Sequence, residues 1–540
     1  MKRFVDLYHA LSETTKSSEK VELLVSYLSA AGEQELGWAV HILRGGKLDR
    51  VVSSREIRVW AAECAGIPLW LFEESYHVVG DLAETTALTV SSHTGSHEDH
   101  ESRDSLREWI ELVRSLKGAP EQERKRATQD AWRQMSVAEC LVFNKLLTGG
   151  LRIGVSRGLV GKALAQVVGL DEATVAHRLL ASKDPDRFSL SDFTQPDSGR
   201  EGQGCALTPY PFFLASPFDA DLSLLGSHEE WCAEWKWDGI RAQCVVRGGH
   251  VAIWSRGEEL VTESFPEFLG LTQLISDGTV LDGELVAWDT AHPAPFARLQ
   301  QRLNRRKVSA KLVSEIPVKY IAYDLLELGA RDLREKSIKV RRQKLAEILN
   351  AQVALLDRIE LSPVISFASW EELAQQQKHA RTLHAEGVML KRWSSCYGVG
   401  RRRGEWWKWK VDPLTIDGVL MYAQKGHGRR ADLFTDYTFG VWNGDVLVPF
   451  AKAYSGLTDQ EIRQVDAFVK AHTRERFGPV RTVEQSLVFE IAFEGIQESS
   501  RHKSGIAVRF PRISRWRRDK PAAEADTLEN LKALARKPKG

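Results

Sequence analysis

This 540-residue sequence has no closely spaced pair of cysteines, no long apolar run and a net charge close to zero. The six cysteines are scattered and form no C-x-x-C pair, which argues against a structural zinc site and favours a reducing cytoplasm. No apolar run approaches the length of a membrane span, and the N-terminal sequence MKRFVDLYHALSETTK lacks the apolar core of a signal peptide. The net charge is only +1, so a polyanionic partner must be met by local basic patches. We therefore expect a cytoplasmic globular protein.

The length and composition predict several domains. The chain is longer than one core supports, and its 43% hydrophobic and 27% charged residues are typical of soluble globular proteins. Residues 1–195 show helical periodicity with little alternation, and Ser136 with Glu139 forms a capping box before an apolar run. Residues 91–104 are polar and are predicted to form a loop, although their three histidines leave metal binding as an alternative. The glycines and prolines of residues 192–211 predict an interdomain linker.

Residues 148–157, with the sequence TGGLRIGVSR, are candidates for phosphate contact. Glycine, serine and threonine let backbone N–H groups approach phosphates closely, and Arg152 and Arg157 supply guanidinium groups. The alternative interpretation is an ordinary connection between two helices.

From about residue 210 the apolar period changes to two. Gly248-Gly249 lies between two alternating runs and predicts a hairpin. Further strands are predicted at 280–288, 320–326, 387–392 and 406–411, and helices at 340–349 and 370–384. Residues 210–411 therefore indicate a largely antiparallel α+β domain. Residues 412–540 contain about five short strands with turn sequences and one helix at 458–472, which indicates a small barrel of the OB type.

The stretch EWKWDGIR, residues 234–241, is the centre of the chain. On a strand, Glu234, Lys236 and Asp238 share one face and the two tryptophans take the other. A half-buried strand with a salt-bridged lysine is one interpretation, and a nucleophilic lysine is the other. Because lysine attacks only when it is unprotonated, a nucleophile here needs positive charge close by to counter the acids. K-x-D-G alone is a weak motif.

Several other segments carry residues that suit such a site. Each also has an ordinary interpretation, as a surface ion pair, a solvated basic face or a core aromatic. Together they supply cations beside the nucleophile, two acids for a divalent metal and an aromatic face for a base. The candidates are Arg256 in SRG, Glu284 in LDGEL, Tyr323 in IAYDLL, Glu386 in EGVMLK, and Lys408 with Lys410 in WWKWK after the arginines 401–403.

These segments, in this order, resemble the nucleotidyltransferase motifs of ATP-dependent DNA ligases. The quoted motifs are KWDGIR, SRGEE, LDGELVAW, IAYDLLEL, EGVMLKR and WWKWK, followed by RFPRISRWRRDK, which resembles the last motif of that family. LTGGLRIGVS is similar to part of the family's helical DNA-binding domain. The resemblance covers nearly the whole chain. It implies an all-α DNA-binding domain (1–195), an adenylation domain (210–411) and an OB-fold domain (412–540).

The resemblance also implies a role for each matching residue. Lys236 would accept AMP, and Glu284 with Glu386 would place a metal. The nucleotide would be bound by Glu234, Arg241, Arg256, Glu284, Tyr323, Arg402, Lys408 and Lys410; Tyr323 stands where the family often has phenylalanine. The departing pyrophosphate would meet Asp519 and Lys520, with Arg515 or Arg517. DNA would be contacted by Arg152 and Arg157.

The implied substrates and partners follow from the same family. ATP would donate adenylate with Mg²⁺ or Mn²⁺, and the protein would be a monomer that encircles nicked duplex DNA. Eight cations between residues 501 and 520 make a local basic patch in a nearly neutral chain.

Three alternatives compete with this interpretation. An mRNA capping enzyme or RNA ligase shares the lysine, but a capping enzyme has no need of a large helical domain before it. An NAD-dependent ligase is expected to bring a four-cysteine zinc module. A non-catalytic nucleic-acid clamp on the same fold is expected to lose the lysine, the acids or the last motif, and this sequence keeps all of them.

Overall fold

The structure is a computed structural model of the chain. It describes residues 2–79, 81–94, 105–149, 151, 153–181, 184–194, 207–290, 292–303, 305, 308–351, 357–426, 432–477, 480–500 and 502–536. The chain forms two compact units. One comprises Met1–Gly169, Asp184–Asp192 and Pro413–Lys537, and the other comprises Leu170–Lys183, Phe193–Asp412 and Pro538–Gly540.

The N-terminal region is helical, as its periodicity predicts. Serines with a glutamate three residues later start several helices, because the side chain of each residue bonds the backbone N–H of the other. This capping box is formed at Ser53, Ser105 and the predicted Ser136. The helices are α1 Lys2–Glu13, α2 Ser17–Ala30, α3 Glu33–Leu43, α4 Ser54–Cys64, α5 Leu69–Val79, α6 Leu82–Thr94, α7 Leu106–Ser115, α8 Glu121–Gln134, α9 Val137–Leu147, α10 Arg157–Val168, α11 Glu172–Ala181 and α12 Ser191–Thr194.

Two predicted connections differ from the structure at their edges. The loop predicted over residues 91–104 starts too early, because α6 continues to Thr94, and residues 95–104 lie outside the described residues. The linker predicted over 192–211 begins inside α12, and its residues 195–206 are likewise outside the described ranges. Helix α11 belongs to the second unit, where His177 stacks on Tyr210 with ring centroids 5.6 Å apart.

The middle of the chain is the predicted antiparallel α+β domain, built on two principal sheets. A four-stranded sheet has the order β2-β13-β11-β3, and a larger sheet has the order β10-β8-β6-β4-β5, with β7 and β9 added at its margins. The strands are β1 Phe213–Leu214, β2 Ser216–Pro217, β3 Trp231–Trp237, β4 Ile240–Arg247, β5 His250–Ser255, β6 Thr279–Asp289, β7 His292–Pro293, β8 Val318–Leu328, β9 Arg331–Asp332, β10 Ile359–Leu361, β11 Ala385–Arg392, β12 Gly400–Arg401 and β13 Trp406–Lys410.

The hairpin predicted at Gly248-Gly249 is present between β4 and β5. Both glycines have positive φ, 58° and 72°, which is the turn geometry that matches the twist of the flanking strands. The helices of this domain are α13 Phe296–Leu303, α14 Ala310–Glu315, α15 Ile338–Ala351 and α16 Trp370–Gln377.

The helix predicted over residues 370–384 is not continuous. It ends at Gln377, a 3-10 turn covers Ala380–Leu383, and His384 adopts a left-handed φ of 54° that turns the chain into β11. One apolar core lies on the larger sheet, where Ile253, Leu285 and Leu325 pack with Leu345 of α15, and a second lies on the four-stranded sheet, where Ala233 and Leu390 pack with Leu373 of α16.

The C-terminal β domain is present with more strands than the roughly five predicted. A seven-stranded sheet runs β16-β15-β14-β18-β17, with β19 paired to β14 and β22 paired to β19, and β20 pairs with β21. The elements are β14 Leu414–Lys425, β15 Phe434–Asn443, β16 Val446–Ala453, α17 Asp459–Ala471, β17 Thr473–Phe477, β18 Val480–Val483, β19 Val488–Phe493, β20 Gly495–Glu498, β21 Ile506–Arg509, β22 Arg512–Trp516 and α18 Leu528–Arg536. Within the described ranges, no helix combines the length and apolarity needed to cross a membrane.

Candidate active site

Lys236 lies at the end of β3, where the four-stranded sheet passes into the larger sheet. The turn Asp238-Gly239 joins β3 directly to β4. A Cβ on Gly239 would stand 2.3 Å from the carbonyl oxygen of Leu285 on β6, so only glycine lets the turn lie this close to the neighbouring strand. The turn therefore sets the nucleophile candidate of one sheet against the side chains of the other.

A bulge in β11 brings Glu386 to Lys236. The pairing of β3 with β11 is regular from Trp231 to Trp235 and shifts register between Ala385 and Val388. Gly387, inside the bulge, has φ +143°, and a Cβ there would stand 2.2 Å from a backbone oxygen of β13. Within this irregularity the Glu386 carboxylate forms an ion pair with the Lys236 amine, although 150 residues separate them.

Cations gather around this ion pair. Lys410 Nζ lies 3.4 Å from the same Glu386 oxygen. Burial lowers the pKa of Lys408 from its usual value, and the charges of Arg401, Lys410, Lys236 and Arg256 lower it further, so each of these groups lies within electrostatic reach of Lys408. Glu386 therefore attracts the Lys236 amine, whereas the neighbouring cations repel it.

Arg401 and Arg402 have different neighbours. Arg401 lies in β12, and its charge is the first among those that lower the pKa of Lys408. Arg402, which the sequence motif proposes as the phosphate ligand, has its Cδ 3.4 Å from a Cβ built on Gly398. Arg401 therefore lies within electrostatic reach of Lys408.

Glu284 faces the same site from β6, opposite Arg241 of β4. Burial raises its pKa to about 8, with further increases from the carboxylates of Glu386 and Asp238, and Lys236 and Arg241 oppose the increase. A carboxyl whose pKa is raised by neighbouring acids in this way is one whose charged form a divalent cation would stabilise.

The donor set of the site fits Mg²⁺ or Mn²⁺. Hard divalent cations of this kind are bound through one or two carboxylates, with phosphate oxygens and water completing the shell. Glu284 and Glu386 provide two carboxylates, and the described residues contain no group of three or more histidines, cysteines or acids that would form a complete protein cage.

Tyr323 is the candidate aromatic face, and the buried Asp282 accepts hydrogen bonds from Tyr323 and from two side chains beside it. Asp282 is fully buried and accepts two hydrogen bonds from Arg241, from Nε at 3.2 Å and Nη2 at 2.7 Å. The Tyr397 hydroxyl donates to Asp282 at 2.6 Å and the Tyr323 hydroxyl at 3.4 Å. Arg241 also donates from Nη1 to the Phe213 carbonyl at 2.7 Å. Arg241 therefore braces the site with most of its N–H groups.

Glu234 is buried between two cations to which the sequence analysis gave no role, although one of them, Lys391, lies within the motif EGVMLKR. Its carboxylate forms ion pairs with Arg342 of α15 and with Lys391 of β11, the latter at 2.5 Å. Lys391 Nζ also lies 4.2 Å from the centre of the Tyr323 ring. A lysine in the otherwise apolar run of β11 was the available signal for this residue, as was the aspartate within the apolar run of β6 for Asp282.

The predicted C-terminal residues form a cluster of their own. Arg517 donates to Asp519, from Nη2 at 2.9 Å, and Arg515 Nη2 lies 3.2 Å from a carboxylate oxygen of Glu490. Lys520 Nζ lies 2.8 Å from Asp417, which the motifs also missed.

Of the two predicted DNA contacts, Arg157 is the first residue of α10, and Ser156 caps that helix by accepting from the Leu159 N–H. Arg157 Nε donates to the Arg44 carbonyl at 3.0 Å. Arg152 lies outside the described residues.

A lysine beside the turn between two largely antiparallel sheets, with cations and two glutamates within electrostatic reach, fits the site of a nucleotidyltransferase. Family models match three parts of the chain: "DNA ligase N terminus" over residues 1–165, "ATP dependent DNA ligase domain" over 212–410 and "ATP dependent DNA ligase C terminal region" over 430–520. The chain belongs to the ATP-dependent DNA ligase family, as the sequence motifs predicted.

Relatives match nearly the whole of this chain. A "Probable DNA ligase" of Koribacter versatilis is 32% identical over 98% of this chain and 95% of its own length. A "DNA ligase" of Methanoculleus marisnigri is 28% identical over 98% of this chain and 96% of its own length. The solved structure "Pmar-Lig_PreS3" matches 95% of this chain and 99% of its own, with a TM-score of 0.58 at 16% identity, which supports the fold alone.

Proposed function

We propose that this ligase seals nicks between a 5′-phosphate and a 3′-hydroxyl in duplex DNA through a covalent lysyl-AMP and a DNA-adenylate. The observation that carries the proposal is the position of Lys236, paired with Glu386 and within electrostatic reach of Lys408. In this proposal the helical DNA-binding domain spans residues 1–195, the adenylation domain 210–411 and the OB-type domain 412–540.

In the first step, the lone pair of Lys236 Nζ forms a bond to the α-phosphorus of ATP. The bond between that phosphorus and the bridging oxygen breaks, and diphosphate leaves with the electron pair. The amine must release one proton to solvent before it attacks, and the nitrogen loses a second proton once the P–N bond has formed. The product is a phosphoramidate.

The surrounding residues bind the nucleotide. Tyr323 stacks on adenine and Glu234 meets the base edge, and Arg241 and Arg256 contact the nucleotide as well. Arg402 and Lys408 hold phosphate oxygens, with Lys410 close by. Glu284 contacts the ribose. Glu284 and Glu386 would hold Mg²⁺ or Mn²⁺, which when bound neutralises phosphate charge.

The next two steps use the same place. A 5′-phosphate oxygen of the nick bonds to the AMP phosphorus as the P–N bond to Lys236 breaks and the amine regains a proton. The 3′-hydroxyl oxygen then bonds to the 5′-phosphorus, loses its proton and displaces AMP. Each step is a phosphoryl-type transfer, so the same cations serve all three.

DNA is bound mainly through its phosphate backbone in this proposal, with Arg152 and Arg157 among the contacts. Nick sealing requires a duplex but no particular sequence, and backbone contacts give that kind of recognition.

The test is covalent labelling with ATP carrying a radioactive α-phosphate, followed by denaturation and then a nick-sealing assay. The wild-type protein should retain label, and Lys236→Arg should retain none and seal nothing. Lys319→Arg is the matched control, because Lys319 lies in a strand of the same domain and pairs with Glu360 at 3.3 Å. A wild-type protein that binds DNA without labelling would be a clamp, and labelling by GTP in preference to ATP would indicate capping chemistry.

A further inference from the structure

Asp417 of β14 lies beneath the C-terminal cations and is only 6% exposed. One of its carboxylate oxygens accepts from both Arg517 Nη1, at 2.7 Å, and Lys520 Nζ, at 2.8 Å. Its backbone is fixed as well, because its N–H donates to the Asp526 carboxylate at 2.8 Å and its carbonyl accepts from the Asp526 N–H at 3.0 Å. Two long, flexible cations from one segment are therefore held by a single rigid acid about 100 residues away in sequence.

A second acid lies beside Asp417 on the neighbouring strand. Asp417 is paired with Glu490 across the antiparallel strands β14 and β19, and Glu490 is the partner of Arg515. Like charges placed directly opposite one another weaken a sheet unless cations compensate them. Arg515, Arg517 and Lys520 supply that compensation, and the two acids in turn hold these three cations on one face of the sheet.

Asp519 plays a different part from Asp417. Its side chain is 68% exposed, whereas that of Asp417 is 8% exposed, so Asp519 meets Arg517 from the solvent side and Asp417 from the protein side. The second oxygen of Asp417 has no hydrogen-bond partner among the described residues. A buried carboxylate that binds two half-buried cations through its other oxygen fixes the direction of both.

We propose that Asp417 is the positioning residue for the cations that act on diphosphate in the first step. This inference rests on the proposed function. Arginine and lysine lose much rotamer freedom when they bind, and fixing them beforehand removes that cost when the triphosphate arrives. Asp417 touches no substrate and acts through Arg517 and Lys520.

Diphosphate takes part in only some of the reactions that this enzyme would catalyse. Formation of lysyl-AMP releases diphosphate, and its reversal consumes diphosphate, when a diphosphate oxygen bonds to the AMP phosphorus, the P–N bond breaks and ATP reforms. Sealing of a nick that already carries AMP involves no diphosphate. Loss of the positioning acid should slow the first two reactions and spare the third.

The experiment uses the full chain with Asp417→Asn, which keeps the size and removes the charge. Single-turnover labelling by ATP, and release of AMP from the labelled protein by diphosphate, should both slow about 10- to 100-fold, the loss usual when an outer partner of a functional group is removed. Sealing of a pre-adenylated nick should stay within about twofold of wild type, since those steps need no diphosphate.

Asp466→Asn is the matched control. Asp466 is a buried aspartate of the same domain that accepts from the Phe434 N–H at 3.0 Å and pairs with Lys470 at 2.7 Å. It should leave the ratio of the three rates unchanged.

Equal slowing of all three reactions by Asp417→Asn would reduce the residue to a structural role and overturn the inference. Unchanged or faster labelling would overturn it too, the latter by showing that Asp417 holds the cations away from diphosphate. A wild-type protein that takes no label would instead overturn the proposed function.

Discussion

Replacing Glu284 with glutamine should stabilise the protein in metal-free buffer, and the gain should grow as the pH rises. The pKa of Glu284 is raised from near 4.5 to about 8, chiefly by burial. At about 1.4 kcal/mol for each pH unit, that difference corresponds to about 5 kcal/mol as an upper bound. The side chain keeps some contact with solvent, so about half of that, roughly 2–3 kcal/mol, is the realistic cost.

The sign follows from the proton balance. Below about pH 4.5 the carboxyl is protonated in both the folded and the unfolded chain, and it carries no charge penalty. Between about pH 4.5 and 8 the folded protein keeps a proton that the unfolded chain releases, so the stability of the wild type falls as the pH rises. Glutamine stays neutral at every pH, so the stability of the variant does not fall for this reason.

The assay is thermal unfolding of full-length wild type and Glu284→Gln at about pH 5 and about pH 8.5 in chelator. One kcal/mol shifts the Tm of a domain of this size by about 2–4 °C, so the variant should gain roughly 5–10 °C over wild type at the higher pH and little at the lower. Glu315→Gln, which alters a mostly exposed carboxylate of the same domain, should follow wild type at both. A Tm difference between Glu284→Gln and wild type that is the same at both pH values would refute the reasoning.

Four further results are expected. Lys391→Met removes one of the two cations from Glu234 and should raise the KM for ATP about tenfold in labelling assays, whereas an unchanged KM would exclude Glu234 from base binding. Arg341→Met strips the fully buried Asp324 of its partner and should cost about 3–5 kcal/mol by thermal unfolding, with recovery when Asp324 is also made leucine. Gly239→Ala should cost about 1–3 kcal/mol and slow labelling, because its Cβ meets a backbone carbonyl at 2.3 Å; normal labelling would mean that the turn does not set the site. Binding to nicked duplex should fall log-linearly with salt, by about 0.9 in slope for each phosphate contact, and a flat dependence would contradict backbone recognition.

Local features were predictable because they depend on residues close together in the chain. The capping box at Ser136, the hairpin at Gly248-Gly249 and the long strand around Glu284 each satisfy a short-range rule, and each is present. Predictions failed where elements were too short or were interrupted by tertiary contacts. Four-residue strands such as Gly495–Glu498 have too few residues to display a period of two, and the helix expected up to residue 384 stops at Gln377.

The sequence by itself determined the residue types of the site and their order, because the alternation of β3 puts Glu234 and Lys236 on one face whatever surrounds them. Only the tertiary structure decided what those side chains touch. The register shift in β11 delivers Glu386 to Lys236, and β14 delivers Asp417 to Arg517, across 150 and 100 residues respectively. Strand register between distant segments depends on packing of the whole domain, so a local sequence pattern does not predict it.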